Sequence, residues 1–414
     1  ARRRGSASRR ESATLGLRHR PPPPMTGRRS GAEPASGDAE HERESALANA
    51  ADGGRAPASV ANKAARAVAV RTAALAALIA ATALVTSWPT ALAGWGAVVV
   101  ALGLAVALWP LRLDRLTSTP APCSDPDQAR AHLDEEDRRE GAPLNPLCRS
   151  FILAGPGRHR TCVVLFHGVS NCPRSFCALA PRLHEEGHAV VAWRMPCNGY
   201  ADRSTDALHR LRAEDLVRSV DKAVDCAAGI ADEVIVAGIS AGGTLAAWAA
   251  QTRPEVGRAV LIAPLFGLAR FGPAANAALM RLGLVLPPIS IWKDPISKRA
   301  AEVLPHAYRR QSSRGTAELL RLARAVRARA DTGAAAAKTV VFVLNAADTA
   351  VDNRMALTLA AAWRRHGTDV TTRSFPCEPP LPHELIDPAE ARAHTALVYP
   401  VLLDAIAGRS AGVG

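Results

Sequence analysis

Aromatic residues are scarce in this sequence, since Phe, Tyr and Trp together make up only 4% of its 414 residues. Few of them lie between basic residues, and about half of the net charge of +13 falls within residues 1–71. A nucleic-acid-binding surface needs a basic stripe with stacking aromatics, so we expect no nucleic-acid partner. A basic tail beside an apolar segment instead indicates contact with anionic lipid or marks membrane orientation.

The eight cysteines include no CxxC pair, and no group of Cys and His has the sequence spacing of zinc ligands. We therefore expect no metal site and interpret the cysteines as buried or unreactive thiols. The alternative is a disulfide that involves Cys148, Cys172 or Cys197. Such a bond would need an oxidising compartment.

The first 62 residues are rich in Arg, Ser, Gly, Ala and Pro and have no apolar periodicity. This composition predicts a disordered basic tail over 1–62. The first methionine is Met25, so we expect translation to begin there and residues 1–24 to be upstream sequence.

A stretch of about 40 residues, 72–111, contains no charged side chain. One membrane-spanning helix needs only about 20 residues, and Ser87–Thr90 interrupts the stretch. We predict a transmembrane segment over 63–115 with two helices, at about 72–88 and 91–111. Basic residues on both flanks predict that the rest of the chain lies on the cytoplasmic side. One long anchor, which would place it outside, is the alternative.

Residues 116–148 are polar and predict a linker with one short helix, whose acidic run Asp134–Asp137 we interpret as a solvated face. From 149 to 410, short apolar runs alternate with helical patterns. This alternation predicts an α/β domain with a doubly wound, mostly parallel sheet. Residues 266–338 interrupt it with helical sequence and predict a lid over the carboxyl edge of the sheet. The predicted strands are Cys162–Phe166, Ala189–Trp193, Glu233–Ala237, Ala259–Ala263, Thr339–Leu344 and Val370–Phe375.

The sequence Gly238-Ile-Ser240-Ala-Gly242 stands directly between a predicted strand and a predicted helix. This context is typical of a nucleophile elbow, in which the serine sits on a sharp strand-to-helix turn. Gly238 and Gly242 are needed because a Cβ would collide with the adjoining strand and helix. We predict Ser240 as the nucleophile. The alternative is a glycine-rich turn that merely packs a helix on a strand.

A serine nucleophile needs a base, and the base needs an orienting carboxylate. Asp348 follows the predicted strand at 339–344 and is favoured as the acid over Asp352. His383 lies in a loop after the last predicted strand and is favoured as the base. His394 comes late enough in the chain, but it falls within the predicted final helix. We expect Asp387 to cap that helix.

The oxyanion of an acyl-transfer intermediate needs two backbone N–H donors. The N–H of Ala241, directly after the nucleophile, is one candidate. The other is the N–H of Val169, which follows His167-Gly168 at the end of a predicted strand. An ordinary strand-ending turn is the alternative for His167-Gly168.

Across residues 150–410, the motifs LFHGVSNCPRSF, GISAGG and LPHELIDP and the turn at Asp348 resemble the α/β-hydrolase superfamily. The closest likeness is to bacterial esterases and lysophospholipase or monoacylglycerol-lipase-like enzymes. The resemblance implies a Ser240–Asp348–His383 triad, a helical lid and an acyl-enzyme, with no metal or organic cofactor. Many relatives carry Arg-Gly-His-Gly where this chain has Met195–Tyr200, which predicts a differently lined pocket.

These patterns together predict a membrane-anchored serine carboxylester hydrolase that acts on lipid-like or other apolar acyl esters. The expected partners are the small-molecule or lipid ester and membrane lipid, and the oligomeric state is left open. An acyltransferase or a peptidase-like hydrolase of the same fold is one alternative. A non-catalytic, membrane-bound binding module is the other.

Overall fold

The computed structural model describes residues 88–139, 141–293, 304–390 and 392–409. The chain divides into two compact units, 1–94 and 95–414, and only the start of one helix is described in the first unit. The helices are α1 Trp88–Ala107, α2 Pro126–Arg139, α3 Leu179–Glu185, α4 Ala213–Ile230, α5 Ala241–Thr252, α6 Pro273–Val285, α7 Ser313–Ala330, α8 Asn353–Arg365 and α9 Thr395–Ala407. The strands are β1 Phe151–Leu153, β2 His159–Phe166, β3 Ala189–Trp193, β4 Ala231–Ile239, β5 Val256–Ile262, β6 Ser290–Trp292, β7 Arg310–Ser312, β8 Thr339–Asn345 and β9 Asp369–Phe375.

The central sheet has the strand order β1-β3-β2-β4-β5-β8-β9. β1 pairs antiparallel with β3, and every other neighbouring pair is parallel. The chain moves from β2 outwards to β3 and then back past β2 to β4. Right-handed crossovers therefore place α3 on one face and α4, α5, α7 and α8 on the other, which is the predicted doubly wound arrangement. The two carboxyl ends at this reversal, those of β2 and β4, meet where such sheets bind ligands.

The strands form because continuous runs of Val, Ile, Leu and Ala are buried on both faces of the sheet. All six predicted strands are present, and β3 has the predicted bounds. The sequence prediction missed β1, which is a half-buried edge strand of three residues. A strand this short has no apolar run that distinguishes it from a loop.

The predicted membrane hairpin is not supported by the structure. The predicted helix at 72–88 lies outside the described residues except for Trp88, and the predicted helix at 91–111 is replaced by α1. Pro89 had been interpreted as a break, but it lies in the first turn of α1, where a missing N–H costs nothing. The residue before Pro110 disfavours helical geometry, so α1 ends at Ala107. In the described ranges, none of the helices has the length and hydropathy required to cross a membrane.

The predicted linker is packed against the α/β domain rather than being a solvated connection. Its helix, α2, packs against α4, and one face of α2 is buried in this contact. Asp137, from the acidic run, was wrongly interpreted as solvated, because its carboxylate is buried and lies 2.9 Å from Nε of Arg194. It also accepts a hydrogen bond from the N–H of Ser150 (3.1 Å). The ion pair fastens the segment before the sheet to the end of β3.

Residues 266–338, which were predicted as a lid, divide into two structurally different parts. The β6–β7 hairpin lies at the carboxyl edge of the sheet, since Ile291, Trp292 and Gln311 line the same cavity as Ser240. α6 packs on α7. α7 instead buries one face against α5, as the crossover helix between β5 and β8. The part of this insertion that adjoins the carboxyl edge is therefore the hairpin.

The final helix begins later than predicted. Asp387 caps no helix, because α9 begins at Thr395, and its carboxylate instead accepts from Nε2 of buried His306 (2.7 Å). His394, which was expected inside the final helix, occupies the position before α9 in a left-handed conformation with φ 37°. The sequence signal of Asp387-Pro388 therefore marked a turn and not a helix start.

Candidate active site

Ser240 lies between β4 and α5 with φ 57° and ψ −116°, a conformation that is strained for any residue except glycine. The neighbouring strand holds it there. Its N–H donates to the carbonyl of Ile262 (2.9 Å), and its carbonyl accepts from the N–H of Leu265 (3.0 Å). This turn is the geometry of a nucleophile elbow, which presents the serine hydroxyl at the carboxyl edge of the sheet.

The glycines that flank Ser240 are required because backbone atoms approach them closely. A Cβ on Gly238 would overlap the carbonyl oxygen of Gly242, across the turn. A Cβ on Gly242 would overlap the carbonyl oxygen of Phe166, at the end of β2. The turn can therefore pack between β2 and α5 only if both positions lack a side chain.

The structure brings Ser240, His383 and Asp348 together. Nε2 of His383 lies 2.8 Å from Oγ of Ser240, and Nδ1 lies 2.7 Å from Oδ2 of Asp348. The Asp348 side chain is fully buried, and its other oxygen, Oδ1, accepts from the N–H groups of Ala350 (2.8 Å) and Val351 (3.2 Å). The His383 side chain is 26% exposed, so it can meet a substrate and water. This is the arrangement of nucleophile, base and orienting acid that acyl transfer uses.

The competing candidates have other roles. Asp352 caps α8, where its carboxylate accepts from the N–H of Arg354 (2.9 Å). His167, at the end of β2, is buried and accepts from the N–H of Met195 at Nε2 (3.0 Å). Burial lowers the pKa of His167 to about 3, so its ring is neutral. It therefore joins the carboxyl ends of β2 and β3 rather than transferring protons.

The electrostatic interaction between Asp348 and His383 favours an ionised carboxylate and a protonated imidazole. Burial opposes ionisation of Asp348, but the hydrogen bond and charge of His383, with two backbone N–H groups, outweigh it and lower the pKa of the carboxyl. Burial likewise opposes protonation of His383, but the hydrogen bond and charge of Asp348 outweigh it and raise the pKa of the imidazole. The nearby Glu384 adds to this effect. A protonated imidazole at His383 is thus stabilised.

The two predicted oxyanion donors lie on segments next to Ser240. Ala241 is the first residue of α5, where a backbone N–H has no partner within the helix. Val169 lines the same cavity as Ser240. A Cβ on Gly168 would lie 3.8 Å from Cβ of Ser240, so the loop after β2 passes directly beside Ser240.

The sequence reading missed the side chain that holds this loop in place. Nδ2 of buried Asn198 donates to the carbonyl of Val169 and to that of Asn171 (3.2 Å). Asn198 belongs to the stretch 195–200, where the sequence departs from many relatives. The Cys148–Cys172 disulfide ties the same region to the segment before β1. The departure was visible in the sequence, but its structural role was not.

The triad opens into a cavity of about 800 Å³ that is lined in part by the β6–β7 hairpin. One part of its lining is apolar, and another part is charged. The apolar lining residues include Leu265, Leu268, Phe271, Ile291, Trp292 and Val351. The charged lining residues are Arg270, Lys293, Glu384, Glu390 and Arg392.

Glu384 is a second residue that the sequence reading did not single out, although it adjoins His383. Its Oε1 is buried and has no hydrogen-bond partner among the described residues. Burial raises the pKa of this carboxyl against the opposing effect of a hydrogen bond from Asn171. An unpaired carboxyl oxygen in the cavity wall is available to a substrate cation or hydrogen-bond donor.

Comparison with known proteins places this geometry in a family context. The family model described as serine aminopeptidase, S33, matches residues 157–378, which is more than half of the chain. The matched range includes Ser240 and Asp348 and ends before His383. No curated protein matches the chain in sequence.

Solved structures are similar at low sequence identity. A monoacylglycerol lipase from Paleococcus ferrophilus is 18% identical with a TM-score of 0.49, and the match covers 63% of this chain and 98% of that one. A soluble variant of monoglyceride lipase from Saccharomyces cerevisiae, in complex with a substrate analogue, is 14% identical with a TM-score of 0.48, covering 63% and 91%. A structure reported with the metagenome-derived lipolytic enzymes LipS and LipT is 17% identical with a TM-score of 0.48, covering 64% and 99%.

Proposed function

Because this chain belongs to the serine aminopeptidase S33 family of α/β-hydrolases, we propose that it cleaves carboxylic esters through an acyl-enzyme on Ser240. The observation that carries the proposal is the pair of hydrogen bonds that His383 makes: Nε2 accepts from the hydroxyl of Ser240 (2.8 Å), and Nδ1 donates to the carboxylate of Asp348 (2.7 Å). The Oγ of Ser240 faces a cavity large enough for a small-molecule substrate.

The first half of the reaction acylates the serine. His383 Nε2 takes the proton of Ser240 Oγ as this oxygen bonds to the ester carbonyl carbon. The N–H groups of Val169 and Ala241 donate hydrogen bonds to the carbonyl oxygen and stabilise the negative charge that develops on it. Removal of one such donor typically lowers kcat by a factor of about 10²–10³. The carbon–oxygen ester bond then breaks, and Nε2 returns its proton to the leaving alcohol.

The second half releases the acid. His383 Nε2 takes a proton from a water molecule, whose oxygen attacks the acyl carbon. The tetrahedral intermediate collapses, the acid leaves, and the proton returns to Ser240 Oγ. Asp348 stays ionised throughout and keeps the Nδ1 proton of His383 directed towards itself.

We propose apolar acyl groups as the preferred substrates. The side chains of Leu265, Leu268 and Phe271 line the cavity beside Ser240, and those of Ile291 and Trp292 line it from the β6–β7 hairpin. An acyl chain that packs against this apolar lining is stabilised by about 0.8 kcal/mol of binding free energy per buried methylene. Affinity should therefore rise with acyl length until the chain extends beyond the apolar lining.

The test is hydrolysis of p-nitrophenyl esters of increasing acyl length by the purified full chain and its Ser240→Ala variant. We expect activity to require Ser240. We also expect a fluorophosphonate probe to label the wild-type chain and not the variant. Equal hydrolysis by both folded proteins would refute Ser240 as the nucleophile. A folded wild-type chain that neither cleaves these esters nor takes the probe would favour the non-catalytic binding module.

An aminopeptidase-like activity is the second candidate, and the unpaired Oε1 of Glu384 favours it. A free amino terminus needs an acidic group near the nucleophile, and Glu384 and Glu390 line the cavity. This activity predicts hydrolysis of aminoacyl p-nitroanilides that is lost in Glu384→Gln, while hydrolysis of neutral p-nitrophenyl esters persists. Failure to cleave any aminoacyl anilide would eliminate this candidate.

We further propose that the enzyme works at a membrane. The uncharged stretch 72–111 and the exposed aliphatic side chains of α1, such as Val99 and Leu102, support this location. Charge on both flanks favoured the cytoplasmic side, whereas the Cys148–Cys172 disulfide supports the outer side, because disulfides persist in oxidising compartments. We therefore propose the extracytoplasmic placement.

Cys377 provides the test of sidedness, because it is an exposed free thiol. A membrane-impermeant maleimide should label it in intact cells, and Cys377→Ser should remain unlabelled. Labelling only after cell lysis would place the domain in the cytoplasm.

A further inference from the structure

Three side chains that can bind a metal converge far from the triad. Sγ of Cys123, a ring nitrogen of His132 and Sγ of Cys226 all lie within 4.8 Å of one another. Sγ of Cys123 is 3.8 Å from Nδ1 of His132. Both thiols are buried, and His132 is half-buried. Sequence spacing could not reveal this group, because Cys226 comes from α4 and the other two come from the segment at α2.

The fold brings these segments together by contacts that do not involve the three side chains. The N–H of Cys123 donates to the carbonyl of Asp225 (3.1 Å), and the N–H of Ala121 donates to the Asp225 carboxylate (3.0 Å). Gly229 lies on the same face of α4 as Cys226, where a Cβ would stand 2.7 Å from Cβ of Cys123. The missing side chain allows the segment to approach α4, so the ligand atoms are held near one another in advance.

The donor set identifies the class of metal. Two thiols and one imidazole form a mixed sulfur and nitrogen set that suits zinc, and oxygen-preferring cations such as magnesium or calcium bind such sets poorly. Tetrahedral zinc with bonds of about 2.3 Å to sulfur and 2.0 Å to nitrogen separates those ligands by about 3.5 Å. The 3.8 Å between Sγ of Cys123 and Nδ1 of His132 needs almost no adjustment to reach this value.

We propose that Cys123, His132 and Cys226 bind one zinc ion, which fastens α2 to α4, with the fourth position taken by water. Each thiol loses its proton as its sulfur bonds to the metal, so binding releases two protons and involves no oxidation or reduction. Because each bound thiol must lose a proton, affinity should increase with pH. The site lies outside the active-site cavity and is independent of the proposed hydrolase activity.

The experiment uses the full chain with a tag that binds no metal, purified under reducing conditions from zinc-supplemented cells. Inductively coupled plasma mass spectrometry should find about one zinc per chain, as expected for a single structural site. Cys226→Ser and His132→Asn should each reduce this to near zero. Cys377→Ser is the matched control and should retain the metal, because Cys377 is exposed and outside the cluster.

A second measurement keeps the proposal testable if a variant misfolds. Cobalt(II) added to the metal-free wild-type chain should give the intense visible bands of tetrahedral coordination and a thiolate-to-cobalt charge-transfer band. Cobalt binding should release two protons, and zinc should then displace the cobalt and abolish the bands with no further proton release. His132→Asn, judged folded by circular dichroism, should lack the bands. A zinc-free wild-type chain with free thiols, a Cys123–Cys226 disulfide found by peptide mapping, or full zinc retention in Cys226→Ser would each overturn the proposal.

Discussion

Replacing Asp348 by Asn should disable the base while leaving the fold intact. Oδ1 of Asp348 already accepts from the N–H groups of Ala350 and Val351, so the carbonyl oxygen of an asparagine would keep that position. Its amide group would then face His383 and donate to Nδ1. The imidazole would have to carry its proton on Nε2, which faces Ser240 and could no longer accept the hydroxyl proton.

The expected loss follows from this change of tautomer. Where the same substitution has been made in a serine hydrolase triad, kcat falls by about 10⁴, which corresponds to about 5.5 kcal/mol of transition-state stabilisation. KM should change little, because Asp348 is fully buried behind His383 and does not contact the substrate. The pKa of His383 should also fall, because the hydrogen bond and charge of Asp348 raise it in the native chain.

The assay is the pH dependence of kcat for the best p-nitrophenyl ester, measured on wild type, Asp348→Asn and Asp352→Asn. Asp352→Asn is the control, because it changes a neighbouring carboxylate whose capping role asparagine also performs. It should retain kcat near that of the wild type. A folded Asp348→Asn enzyme that kept more than about a tenth of wild-type kcat would refute the assignment of Asp348 and its orienting role.

Three further predictions concern pH and stability. His383 must be neutral to accept a proton, and its pKa is raised. The value of kcat/KM should therefore increase with pH, with an apparent pKa above the ordinary histidine value of about 6.5. A midpoint of this pH profile below that value would contradict the raised pKa of His383. Gly242→Ala should lower stability by on the order of 3 kcal/mol in urea unfolding, because its Cβ meets backbone, whereas Gly333→Ala, with open space around it, should be nearly neutral. Asp137→Asn should lower the free energy of unfolding by about 3–5 kcal/mol in the same measurement, since it removes this carboxylate from the buried charge of Arg194. A loss below about 1 kcal/mol would show that the pair contributes no more than a surface salt bridge.

Local patterns explain why the sheet could be predicted so fully from the sequence. A strand buried on both faces must be apolar at every position, so β2, β3, β4, β5 and β8 each appear as a continuous run. β1 escaped because an edge strand of three half-buried residues leaves no such run. The start of α9 was wrong because Asp387-Pro388 fits a turn as well as a helix cap, and its carboxylate binds His306, which is distant in sequence.

Long-range contacts account for the other errors. Asp137 belongs to an acidic run that resembles a solvated face, and only its contact with Arg194 shows that it is buried. The same applies to Cys123 and Cys226, whose proximity depends on α2 lying against α4. The spacing of ligands along the sequence cannot predict which separate segments pack together.

For the candidate site, the sequence by itself determined the nucleophile turn, because its two glycines and its place between strand and helix are local requirements of backbone packing. It also determined the chain order of Ser240, Asp348 and His383. Only the tertiary structure decided that Asp348 rather than Asp352 meets the imidazole, and that Asn198 and Glu384 adjoin the same cavity. These relations depend on where separate loops meet at the carboxyl edge of one sheet, and sequence periodicity carries no information about distances between loops.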